Sequence, residues 1–337
     1  MAWNVTAAAA RAGALLRITP RRPAEDLDGP GGTAGSADGA APEGLFARAF
    51  SRAVEAASPA DAKALGVAHE QMGADAAVLD RAVASGAPIP AVAALAGVWE
   101  TLAPESRGIV AHPAGAGDGA VMWAGVRARQ VDQTTCGAAV MGLMLMTGDP
   151  FVALWVATGR SLGAYVPPEA LHAEAEGFET LTIEERWHAL QRVLHAQTTA
   201  SALGPVAWPR SLGTPPWKVD DRTRFAGLRF RGSLVDDSSP AALAPLLAHA
   251  RRALADGIPV PMFTSGDASL GLATVIPRHV VLLVADMGDG FLVYEPGAGA
   301  VLPLSDSDLR PDAGRLPALG NWTRAAWLVL PVPARRG

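Results

Sequence analysis

Ten consecutive residues in the middle of the chain, Gly137 to Met146, carry no charged or polar side chain. A helix that is apolar on every side has no face to give to water, so it must be surrounded by protein or lipid. Gly148-Asp149-Pro150 stops the run well short of the roughly 18–20 residues that a membrane span requires. The chain must therefore fold around this helix. Half of its 337 residues are hydrophobic and 18% are charged, which is enough material to do so.

The segments on either side suggest how. Residues 1–44 read as an N-terminal segment and flexible linker, because residues 20–44 are dense in Gly, Pro, Ala and Asp. Residues 45–115 read as a helical region. Ser58-Pro59 with Asp61 supplies an N-cap, a proline at the first helical position and an acid in the first turn. Gly86 and Pro88 break the pattern, and a further helix from about Pro90 carries Val92, Leu95, Val98 and Trp99 before Pro104 ends it. The Gly-rich stretch Ala114 to Gly119 is the expected boundary with a second domain, residues 116–337. There, Val121 to Arg127 reads as a short strand, Thr182 to Glu185 as a capping box opening a helix to about Ala200, and Ser239-Pro240 as the start of another reaching Asp256-Gly257. The period then changes: Ile258 to Thr264, His279 to Ala285, Phe291 to Tyr294 and Trp322 to Leu330 are β-rich runs between turn residues. Helices first and strands last predict an α+β fold.

Composition narrows the function. With 28 basic and 33 acidic residues the net charge is −5, which offers no general attraction to nucleic acid or anionic membranes. The N-terminus lacks the basic segment of a secretory signal, so the expected compartment is the cytoplasm. One cysteine, Cys136, excludes an internal disulfide or a multi-cysteine zinc site. No cofactor or metal is expected, since the GxxxxGK[ST] and HExxH patterns are missing, and no G-x-S-x-G serine elbow is present either.

Cys136 precedes the apolar helix, with Thr134 and Thr135 as possible caps and Gly137 allowing close approach. A helix N-terminus favours a thiolate and offers amides to a developing oxyanion. A small core residue is the plain alternative. His279 opens Val280 to Val284, a continuous apolar run suited to a central strand, and the next run ends at Glu295. A hairpin centred on Met287 would put His279 directly across from Glu295, close enough for the carboxylate to orient the imidazole. A sheet-edge ion pair would look the same. If these residues form a site, the sulfur should lie within about 3–5 Å of an imidazole nitrogen.

The run Gln130-Val-Asp-Gln-Thr-Thr-Cys136-Gly-Ala-Ala resembles the nucleophile motif of the double-glycine leader peptidases, a bacterial branch of the papain-like cysteine peptidases. Ala253 to Val260, His279 to Val284 and Tyr294-Glu295-Pro296-Gly297 resemble the family's later segments. The resemblance implies a papain-like fold with a helical half and an antiparallel sheet half. By it, Gln130 is the oxyanion side chain, Cys136 the nucleophile, His279 the general base and acid, and Glu295 the orienting acid. It also implies a large helical insertion at about residues 151–231 and extra N-terminal helices. Family members usually carry Asp at the third position. Glu is one methylene longer, so either its backbone sits further back or the acid works poorly. Unlike the exporter-fused members this chain has neither spans nor ATPase, which makes it a free-standing enzyme on this reading.

The implied activity is hydrolysis of a peptide or isopeptide bond in a peptide or protein substrate. Transfer of the same acyl group to an amine, or a catalytically silent scaffold that binds a peptide or protein, are the alternatives; the oligomeric state is open. His188 and His195, seven residues apart on one helix, are too far apart to share a metal and read as surface or interface histidines. Trp208 to Trp217, with Arg222, Arg224, Arg229 and Arg231, read either as a packed loop with a solvated basic face or as a wall of the substrate cleft.

Overall fold

The computed structural model describes residues 44–162, 165–172, 180–200, 209, 213–222, 224–266, 277, 279–310 and 313–332. The linker assigned to residues 20–44 lies outside them except for Gly44. Helices come first: α1 (Leu45–Ala56), α2 (Pro59–Met72), α3 (Ala77–Ala84), α4 (Ile89–Trp99) and α5 (Pro104–Ala111). Ser58 caps α2 by accepting from the Asp61 amide. Pro104 was expected to end a helix; it begins one. At the first helical position a proline loses no hydrogen bond and its fixed φ already suits the helix.

Next come β1 (Gly119–Ala120), β2 (Met122–Trp123) and β3 (Val126–Arg127). The single strand expected at 121–127 is therefore a hairpin, β2 pairing with β3. Ala124 and Gly125 turn it at φ 48° and 86°, the positive values that a two-residue hairpin loop needs.

Helix α6 (Cys136–Gly148) is the apolar run, and every residue in it except Thr147 is buried. Asp149 accepts from the Phe151 amide and caps α7 (Pro150–Thr158), so the expected stop is a corner between two buried helices. Burying a Leu, Met, Val or Phe side chain is worth roughly 1.5–3 kcal/mol. These two helices carry many such residues, which makes them the centre of the core. Among the described residues no single helix is long and apolar enough to cross a membrane. Helices α8 (Pro168–His172), α9 (Ile183–Thr199) and α10 (Pro216–Arg222) follow, α9 opened by the expected capping box of Thr182 and Glu185.

The remaining elements are β4 (Arg229–Leu234), α11 (Pro240–Ala255), β5 (Val260–Ser265), β6 (His279–Asp286), β7 (Gly290–Glu295), β8 (Ala300–Ser305) and β9 (Arg324–Val332). They form an antiparallel seven-stranded sheet of order β1-β8-β7-β6-β5-β9-β4. The architecture is α+β. Strand β6 lies in the middle of the sheet and is buried continuously from Val280 to Leu283, with α6 and α11 both packed on it. Unbroken burial along a strand means that both faces are covered.

The N-terminal helices share one continuous core with α6 and α7. Buried Arg81 of α3 helps to bind them, donating to the carbonyls of Thr147, Val110 and Ala111 and so tying α3 to α6 and α5.

Candidate active site

Cys136 is the first residue of α6 and is 1% exposed. Thr135 precedes it as N-cap but makes no side-chain bond to the helix. Its hydroxyl turns back to Asp132, accepting from the amide and donating to the carbonyl. Thr135 therefore does not cap the amides of the first turn, and the pole carries the partial positive charge of a helix N-terminus. Asp132 accepts from the amide and hydroxyl of Thr134. Burial works against its charge, but these bonds and nearby His195 hold its carboxyl below the usual range.

His279 opens the central strand with its imidazole within hydrogen-bonding reach of the Cys136 thiol. Its Nε2 lies 2.8 Å from Glu295 Oε1, an off-axis charge contact rather than a linear hydrogen bond. Burial would lower the proton affinity of this imidazole, yet the contacts with Cys136 and Glu295 outweigh it and push the pKa up to about 9. Glu295 moves the other way. Burial raises it, but His279 and the amides of Ala298 and Gly297, which donate to its two oxygens, bring it net below the usual carboxylate range.

The hairpin register differs from the expected one. Leu282 pairs with Tyr294 and Leu283 with Val293, and a bulge before Ala285 shifts the rest. Continued by one residue, that pairing sets Glu295 beside Val281, so His279 is its diagonal neighbour rather than its direct partner. The displacement is an even number of residues, which leaves both side chains on one face. Diagonal neighbours are about 7–8 Å apart between backbones, against about 4.5–5.5 Å for direct partners. The additional methylene of Glu makes up part of that difference.

Gln130, Cys136 and the acid corner are stitched together. The Gln130 amide donates to Pro296 O, Arg129 Nε to Gly297 O, and the Tyr294 hydroxyl to Ala128 O. Helix α9 holds the same segment from the other side: Trp187 Nε1 and Gln191 Nε2 both donate to Arg129 O, and Gln191 Oε1 accepts from the Val131 amide. Trp187 gets close enough because Gly142 of α6 has no side chain; a Cβ there would lie 2.8 Å from its ring. The carboxamide of Gln130 is partly committed, with Nε2 donating to Asp132 O at 2.7 Å, while Oε1 is buried without a partner. Gly320, at φ 67°, closes on the imidazole, and a Cβ there would lie 2.4 Å from Nε2 and Cδ2 of His279.

The basic cluster stands apart from this site. Arg224 pairs with Asp149 and Glu169, and it lines a separate open hollow of about 570 Å³ with Arg222, Glu169 and His172. Arg229 and Arg231 lie on β4, the outer strand of the sheet, and are exposed because they alternate with Phe230, which takes the buried side. Trp208 is outside the described residues. His195, expected at a surface or interface, is buried beside Asp132. What the segment between residues 151 and 231 does bring to the site is Thr214, packed against Gly137 of α6.

Comparison with protein-family models, curated proteins and solved structures finds no match for this chain.

Proposed function

We propose that the chain is a papain-like thiol hydrolase that cleaves a peptide or isopeptide bond in a peptide or protein substrate. The observation that carries this reading is the convergence of Cys136, at the pole of a buried helix, with an imidazole raised to about 9 and backed by Glu295. At neutral pH that imidazole is protonated beside the sulfur, which is the arrangement a thiolate nucleophile needs. The thiolate adds to the carbonyl carbon and the π pair moves onto oxygen, where amides of the first turn of α6 stabilise it. Its return expels the amine, which takes the proton of His279. Water then attacks the thioester and gives a proton to His279. The acid leaves and the thiolate–imidazolium pair is restored.

The test is the rate of iodoacetamide labelling of the folded protein against pH, for the wild type and His279→Ala. Rapid labelling below pH 7 that His279→Ala slows supports the reading. Labelling that rises only near the ordinary thiol value of about 8.5, with no effect of His279→Ala, overturns it.

A further inference from the structure

Thr214 stands at the N-terminal pole of α6 and has no task in the fold that uses its hydroxyl. It is 5% exposed, and its Oγ1 is buried without a hydrogen-bond partner. Gly213 before it turns at φ 71°, and the side chain sits where Gly137 lacks one. A Cβ on Gly137 would be 2.5 Å from both Cβ and Oγ1 of Thr214. Side chains on a helix lean toward its N-terminus. A group occupying the place of Gly137's side chain therefore lies over the first turn, on the side from which the amides emerge and next to the nucleophile. A hydroxyl can donate there. Meanwhile Gln130, the residue that the sequence resemblance offers as oxyanion donor, spends Nε2 on Asp132 O.

We infer that Thr214 is a catalytic residue of the proposed hydrolase, contributed by the insertion: its hydroxyl donates to the substrate carbonyl oxygen as that oxygen gains charge. The inference rests on the thiol-hydrolase reading. In the first step the S–C bond forms, the carbonyl π pair passes to oxygen, and Thr214 keeps its proton while hydrogen-bonding to the oxyanion. The ligand class is an acyl group with a free carbonyl, whether amide, thioester or ester. Gly137 is what makes room for the donor.

The experiment uses the full chain and two reagents. p-Nitrophenyl acetate reports acylation of Cys136 through a tetrahedral oxyanion, the phenolate leaving without need of a proton. Methyl methanethiosulfonate reports the thiolate alone, because it has no carbonyl. Thr214→Val should slow the acylation burst about a hundredfold, the usual effect of losing one oxyanion donor, while thiosulfonate labelling stays at the wild-type rate and Thr214→Ser keeps most of the burst. Acylation by Thr214→Val at the wild-type rate would overturn the inference and leave the hydrolase reading standing. So would equal loss in Thr214→Ser, or parallel loss of thiosulfonate labelling in Thr214→Val, because each would assign Thr214 to packing. A wild type that neither acylates nor labels below pH 7 would remove the hydrolase reading, and this inference with it.

Discussion

Replacing Glu295 by Gln keeps the length of the side chain and removes its charge. The imidazole of His279 stands at about 9 against an ordinary 6.5. At 1.36 kcal/mol per tenfold change in proton affinity, its partners together supply about 3 kcal/mol beyond what burial takes away. Cys136 contributes first and Glu295 next. An opposite charge at this distance typically moves a neighbour by about 1–3 pKa units, so Glu295→Gln should bring the titration of His279 down to about 6–8. Glu295→Asp keeps the charge but draws it back from the 2.8 Å contact by about one methylene, so it should lower the titration less than Glu295→Gln does. The assay is carbon NMR of the imidazoles in histidine-labelled protein across pH, with His279 assigned among seven histidines by the signal lost in His279→Ala. If the midpoint of His279 stays within a few tenths of a pH unit of the wild type in Glu295→Gln, the carboxylate is not what holds its proton and the account of the pair is wrong.

Gly320→Ala should cost about 1–2 kcal/mol for a left-handed residue with a Cβ and should also push the imidazole aside; a displacement of about 1 Å predicts up to a hundredfold slower acylation, read alongside a thermal melt. Arg81→Ala should destabilise by about 3 kcal/mol in urea unfolding, because one buried and two partly buried carbonyls lose their donor while the site is untouched. The pH dependence of stability has two limbs. His279 is raised in the folded state, so its contribution is complete below about pH 6.5 and is lost as pH climbs through about 9. Glu295 is depressed, so its contribution is present above the ordinary glutamate range and is lost as pH falls through its folded value. Urea midpoints at several pH values should decline on the alkaline side, and His279→Ala should flatten that decline.

The parts of this molecule that were legible in sequence are those encoded locally. Capping residues such as Ser58, Thr182 and Ser239 announce helices because the bonds they make span three residues. The spacing of Cys136, His279 and Glu295 pointed to one site, and the parity of the strands kept His279 and Glu295 on one face despite the shifted register. Strand β8 was hidden by Pro303, which ordinarily argues against a strand. It is accommodated here because β1 covers only Ala300 and Val301, leaving Pro303 at an open edge. Strand β4 was hidden by Arg229 and Arg231, read as a basic face. Nothing local could have found Thr214, Gly320, Trp187 or Gln191. Each reaches the site across a long stretch of chain, and for two of them the only trace is a glycine, Gly137 or Gly142, on the partner element.

The loop that carries Gly320 has a consequence for ionic conditions. It covers the contact between His279 and Glu295, whose side chains are 12% and 7% exposed. Dissolved ions weaken an attraction only where they can come between the charges or around them. The surface pair of Arg107 and Glu100, with Glu100 73% exposed, will fade as salt is added. The covered pair is screened much less, so the attraction that favours the protonated imidazole is set by the fold more than by dissolved salt.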